Sequence, residues 1–93
     1  MSGQSLNIHF TSRFKKEVKL AEKRGSDLAK LEKVIGLLRM GAALPARYRD
    51  HVLTGNWAGH RECHIEPDWL LIYVIDIPTL VLVRTGSHAD LFD

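Results

Sequence analysis

A chain of 93 residues, 45% hydrophobic and 26% charged, has room for one modest core and is too apolar to remain disordered. Its longest apolar run, residues 69–75, is too short to cross a bilayer. The opening MSGQSLNIHF lacks the pattern of a signal peptide, and the single cysteine, Cys63, excludes an internal disulfide, so a cytoplasmic protein with no membrane association is expected. The net charge of +2 hides an asymmetry: residues 1–49 hold 11 Lys and Arg against 4 Asp and Glu, and residues 50–93 hold 2 against 7. The basic half suits nucleic acid or an acidic protein partner, although any one lysine taken alone reads as solvated helix surface.

Residues 6–10 alternate apolar with polar side chains and predict a first strand. Thr11 or Ser12 then offers a helix cap. Phe14, Val18 and Ala21 recur at helical spacing until Gly25 stops the helix. Ser26 is the expected cap of a second helix, whose stripe of Leu28, Leu31, Ile35 and Leu38 runs to Gly41. Two helices with so short a joint form an αα-hairpin, and its apolar side should cover one face of a sheet.

Residues 42–60 show no clear period. They interleave Arg47, Arg49, His51 and His60 with Tyr48 and Trp57, a mixture suited to an RNA strand, with cations on phosphates and rings under bases. A loop of this length also needs apolar anchors. Trp57 reads as one, with Leu44 and Leu53, and Tyr48 fits either role.

Arg61 to Ile75 predicts a β-hairpin turning at Pro67 and Asp68. A plain two-residue loop pairs Cys63 with Ile72, His64 with Leu71 and Ile65 with Leu70. Cys63, Ile65, Leu70, Ile72 and Val74 then form a core face. Glu62, His64, Glu66, Trp69, Leu71 and Tyr73 form the opposite one, and its mixture of ionisable and aromatic groups marks it as the functional face. A third strand, residues 80–85, completes a three-stranded antiparallel meander. The turn before it leaves Arg84 opposite Leu71 or Tyr73, in either case on the same face as His64 and about 10 Å away across two strand spacings. An arginine within LVLVRTG requires an anion, either Glu62, Glu66 or Asp68 or a bound phosphate. His88 and Phe92 lie on a short terminal tail.

Three chemistries suit these residues. A metal site lacks supporting spacing, with no HxH, HExxH or CxxC. Nucleophilic catalysis by Cys63 conflicts with its core position. Acid–base cleavage of RNA needs a base, an acid and a cation for the crowded phosphorane, with neither metal nor cofactor. Histidine serves both proton roles near neutrality, and Arg84 suits the charge. His9 and His60 are read as structural.

The segments RYRDHVLTGNW, HRECHIEPDWLLIY and LVRTGSHADLF resemble the RelE superfamily of bacterial toxins, in particular its YafQ branch. The resemblance covers residues 44–92, and the strand–helix–helix opening agrees with it. It implies an α+β domain over residues 1–93: an N-terminal strand, a helical hairpin, a three-stranded antiparallel meander and a short tail. It also implies a ribosome-dependent endoribonuclease cleaving mRNA in the A site, with the 70S ribosome, mRNA and a DinJ-like antitoxin as partners. Operator DNA would be met only through the antitoxin complex. By position, acid–base work falls on His51, His64, Asp68 and His88 and phosphate stabilisation on Arg84. Support or stacking of RNA falls on Trp69 and Phe92, with Arg49 as a further contact. The alternative within the superfamily is a ParE-like toxin that inhibits gyrase by binding alone.

Overall fold

The alternating segment at the start becomes β1 (Asn7–Phe10) in a computed structural model that describes residues 5–92. Residues 1–4 and 93, part of the span read as one domain and of the opening read for a signal peptide, lie outside the described residues. Thr11 caps α1 (Ser12–Lys23): its Oγ1 accepts from the Phe14 N–H at 3.0 Å and donates to the Val83 carbonyl at 2.8 Å, tying the helix start to the sheet. Gly25 takes the left-handed conformation, φ 86°, that closes the helix. The cap of α2 (Leu28–Arg39) is Asp27, whose carboxylate accepts from Ala29 N–H at 3.0 Å, and not the expected Ser26. The Ser26 N–H is already engaged with the Ala21 carbonyl at 3.0 Å, so Ser26 belongs to the end of α1.

The long connection holds a 3₁₀ turn at Ala46–Tyr48, the short strand β2 (His51–Val52) and a second 3₁₀ turn at Gly55–Trp57. Then come β3 (Arg61–Glu66), β4 (Trp69–Asp76), β5 (Thr79–Gly86) and α3 (His88–Phe92). The sheet order is β1-β5-β4-β3-β2, with β1 parallel to β5 and the other pairs antiparallel. The expected meander is its centre, and β1 and β2 extend it on either side. The fold is α+β.

Two β-bulges decide which side chains face where. On β3 the pairs are Cys63 with Leu71, His64 with Leu70, then Glu66 with Trp69, which leaves Ile65 as an extra residue. On β5, Leu82 faces Tyr73 and Arg84 faces Ile72, so Val83 is extra. An extra residue reverses the facing of the rest of the strand beyond it. The register expected from a plain hairpin is therefore corrected. Cys63, Ile65, Trp69, Leu71 and Tyr73 pack with Phe14, Leu31, Val34 and Leu38 under the helices. Leu70 and Ile72 pack on the other face with Leu91, Trp57, Leu53 and Val83. Glu66 moves to the helical side with its partner Trp69, and its carboxylate meets Lys30 at 2.6 Å. Tyr48 is buried against the helical cluster, and Trp57 is the anchor expected of it.

Candidate active site

The face of the sheet away from the helices carries a cross-strand row, His51, Glu62, Ile72, Arg84, and beside it the pair His64 and Leu70. The rings of His51 and His64 lie 6.3 Å apart, and those of His64 and His88 5.7 Å apart. Phe92 follows on α3, 6.4 Å from His88 and 6.3 Å from Trp57, and is 43% exposed. Histidines on three separate elements thus line one surface, with an accessible aromatic ring at its end.

Each ring has a defined setting. His51 Nδ1 lies 2.7 Å from the Arg49 carbonyl and its Nε2 3.4 Å from Glu62 Oε1. His64 Nδ1 lies 3.3 Å from the Pro67 carbonyl and its Nε2 3.7 Å from the same Glu62 oxygen. Each Nδ1 thus faces a backbone carbonyl, and both Nε2 atoms face the Glu62 carboxylate without a direct hydrogen bond to it. Arg49 adopts a left-handed backbone, φ 50°, uncommon for a residue with a side chain. That turn points its carbonyl at His51. The next residue, Asp50, accepts hydrogen bonds from Arg61 and from the Tyr73 hydroxyl, fastening the start of β2 to the sheet. Burial and the Asp50 carboxylate push the Tyr73 hydroxyl well above its usual range.

His88 is fixed by the hairpin turn. Asp68 Oδ1 accepts from the His88 backbone N–H at 2.9 Å and lies 2.8 Å from its Nδ1. The backbone N–H, then the ring, hold the Asp68 carboxyl below the usual carboxylate range. With Nδ1 directed at Asp68, Nε2 is the nitrogen left for chemistry. The same helix is closed by a reciprocal cap: Asp90 Oδ2 accepts from Ser87 N–H at 3.0 Å, and Ser87 Oγ accepts from Asp90 N–H at 3.1 Å. Arg24, at the end of α1, donates to that Asp90 oxygen at 2.8 Å and, with the Ser87 N–H, draws the carboxyl down to about 2. A carboxyl depressed on folding contributes stability above its unfolded value, near 3.8, and loses it as pH falls toward about 2. Acid titration in that window is expected to loosen α3 from α1, read as a shift of the Phe92 resonances before the sheet unfolds. Asp90→Asn should abolish this early step.

Arg84 has a different partner from those expected. Its Nη2 lies 2.5 Å from Glu17 Oε2 and its Nε 3.1 Å from the same atom, while Nη2 also reaches the Asp90 carbonyl at 3.3 Å. Glu17 further accepts from the Thr85 N–H at 3.1 Å. β1 pairs only as far as Leu82, so Glu17 covers the β5 edge that β1 leaves open. The anion that strand LVLVRTG required thus comes from α1, and not from Glu62, Glu66 or Asp68. Trp69 is also corrected. It is 5% exposed under the helices, donating its indole N–H to Thr85 Oγ1 at 3.0 Å, so it supports the sheet from beneath and is shut off from any base.

The residues gathered on this surface are therefore His51, His64, Asp68, His88 and Phe92. Arg49 adjoins them through its carbonyl, Arg84 lies at the β5 edge, and Trp69 is on the reverse side. Glu62 was not singled out from the sequence as part of the chemistry, yet it is 4% exposed, lies within reach of both His51 and His64, and its Oε2 has no hydrogen-bond partner among the described residues. The alternation Glu62–Cys63–His64 put it on the histidine face, but nothing local signalled its burial. Cys63 is buried, and burial pushes its thiol up to about 12, so it supplies no thiolate near neutrality. Among the described residues no three His, Cys, Asp or Glu side chains are arranged to hold a metal ion, and no helix is long and apolar enough to cross a membrane.

Comparison with known proteins bears on the family and the fold. Residues 6–93 match the family described as the bacterial toxin of type II toxin–antitoxin system, YafQ. The chain is 46% identical over 87 residues to the mRNA interferase toxin YafQ of Escherichia coli K12, covering 92% of this chain and 95% of that one. Its fold superposes on the toxin in the crystal structure of the E. coli DinJ–YafQ toxin–antitoxin complex with a TM-score of 0.90 and 44% identity, over 97% of this chain and all of the other. A metal-bound toxin from Helicobacter pylori matches at a TM-score of 0.88 and 45% identity, over 94% of this chain and 99% of that one. The chain belongs to the YafQ family of toxins of type II toxin–antitoxin systems.

Proposed function

We propose that this chain, as one toxin domain spanning residues 1–93, is an endoribonuclease that cleaves mRNA in the ribosomal A site and so stops translation in the cytoplasm. The observation that carries the proposal is the His88 ring, held by Asp68 at 2.8 Å and set 5.7 Å from His64 on an open face. Two histidines at that separation flank a single phosphodiester. One removes the 2′-hydroxyl proton, the freed oxygen attacks phosphorus, and the other donates a proton to the departing 5′-oxygen. The products are a 2′,3′-cyclic phosphate, or a 3′-phosphate after hydrolysis, and a 5′-hydroxyl end. His51 and Glu62 hold the proton relay on the His64 side. Arg84 offers charge to the phosphorane through Nη1, the nitrogen that Glu17 and Asp90 leave unengaged. Phe92 receives a splayed base, and Trp69 keeps the sheet beneath the site in place.

No step in this scheme passes through a metal ion. The scheme implies the 70S ribosome and mRNA as partners. The E. coli complex of DinJ with YafQ supports a DinJ-like antitoxin as a third, and contact with operator DNA would come through that antitoxin alone. A ParE-like toxin acting by binding only would have no use for a histidine held by Asp68 on an exposed face.

The test is to map mRNA 5′ ends after expression of the chain and to determine the end chemistry of the fragments. Cuts at a fixed position in the codon frame, with 5′-hydroxyl ends, are expected. In a reconstituted translation system, chelators should leave the cleavage rate unchanged once ribosome integrity is controlled for. A rate abolished by chelation and restored by one added metal would overturn the acid–base scheme.

A further inference from the structure

β2 is only two residues long and pairs with Arg61 and Glu62 alone, so the rest of the β3 edge has no strand beside it. A groove of about 640 Å³ runs along that edge, between α2 and the 3₁₀ turn at Ala46–Tyr48. Lys30 and Lys33 line one wall and Arg47 and Arg49 the other, and His64 stands at its margin. The two lysines, three apart on α2, share one side of the helix. Arg47 is held in place: its Nη2 donates to the Tyr48 hydroxyl at 3.0 Å and its guanidinium lies 4.8 Å from the Tyr48 ring centre. Arg49 owes its direction to the left-handed turn that also aims its carbonyl at His51. Against these four cations the groove has a single carboxylate, Glu66, already paired with Lys30.

We propose that this groove binds the sugar–phosphate backbone of the substrate RNA on one side of the scissile linkage. The inference rests on the ribonuclease reading of the adjoining face. Three features favour it. The cations exceed the one anion, as a polyanion requires. His64 lines the groove as well as the histidine face, so a strand leaving the reaction centre round the β3 edge meets the groove there. Its one aromatic residue, Tyr48, is buried, so the groove holds phosphates and offers no ring for a base to stack on. Contacts of this kind position a strand without reading its sequence. Codon selection must then arise elsewhere, at Phe92 or in the ribosome.

The probe is a set of single-stranded RNA oligonucleotides made uncleavable by a 2′-O-methyl group at the central linkage. Each is extended by three nucleotides on the 5′ or the 3′ side, and binding is measured by fluorescence anisotropy across a salt series. In the unaltered protein, extension on one side only should tighten binding about tenfold. Lys30→Gln/Lys33→Gln, which touches only exposed helix positions, and Arg47→Gln/Arg49→Gln should each remove that gain. Each pair should also lower the salt slope by roughly 1.4, at about 0.7 per lost single-strand phosphate contact. His88→Asn should keep the gain while losing cleavage, which separates failure of the groove from failure of the catalytic reading. Affinity independent of length, or unchanged in both double variants, would overturn the proposal. So would variants that bind every oligonucleotide normally and lose only ribosome binding, which would assign the groove to ribosomal RNA. Normal RNA binding with lost binding of an acidic antitoxin peptide would overturn it in favour of a protein partner.

Discussion

His64→Ala and His88→Ala are each expected to lower single-turnover mRNA cleavage by ~10²–10⁴-fold, the usual cost of removing a general acid or base. Both variants should also relieve growth arrest on expression. His88 is largely exposed, and its ring serves no core contact, so circular dichroism and thermal melting of its variant should match the parent. His64 is more enclosed, which makes His64→Gln the better companion, since it keeps volume and a hydrogen-bonding side chain without a titrating proton. Asp68→Asn should fall between the alanine variants and the parent. It keeps an oxygen for the His88 N–H but no longer presents a charge to the ring. Full toxicity in both histidine variants would remove acid–base chemistry from this surface.

A second expected result concerns the ribosome. The same mRNA should be cleaved far faster in a programmed ribosome complex than free in solution, at equal toxin concentration and under single-turnover conditions. The residues give the reason. Among residues 50–93 acidic side chains outnumber basic ones by 7 to 2, and Glu62 and Asp68 stand in or beside the histidine surface, so free RNA is only weakly held there. In-line cleavage also requires the 2′-oxygen opposite the leaving 5′-oxygen, an arrangement that flexible RNA seldom adopts. Alignment of reacting groups contributes roughly 7–11 kcal/mol to such barriers. A codon held in the A site arrives aligned, and the basic half of the chain can hold the toxin against ribosomal RNA. Comparable rates in the two settings would make this a general ribonuclease.

Much of this surface was legible in the sequence because its signals are local. Periodicity placed the helices, and the Pro67–Asp68 turn placed the hairpin. Alternation put His64 on the face away from Cys63. The facing of β4 was not legible. It depends on one extra residue at Ile65, and an apolar residue in a bulge reads like any other strand residue. That single insertion moved Trp69 under the helices and carried Glu66 to Lys30. The partner of Arg84 was hidden for another reason. Glu17 lies 67 positions earlier in the chain, and strand patterns carry no information about which helix covers an edge. β2, at two residues, is shorter than any periodicity can register.

The reciprocal cap and its ties to α1 bear on how long the site stays assembled. α3 has five residues, far fewer than a helix needs to persist alone. Its order comes from Leu91 packed on Leu70 and Ile72, from Arg24 and Arg84 on Asp90, and from Asp68 on His88. Because Glu17 lies within α1 and Arg24 ends it, the amide of Leu91, bonded to Ser87 at 3.1 Å, should exchange with deuterium at the rate set by opening of the α1–β5 contact and not at the rate of a frayed end. The histidine proposed for proton transfer, His88, then sits on a segment whose lifetime in place is set by a helix on the opposite layer of the molecule.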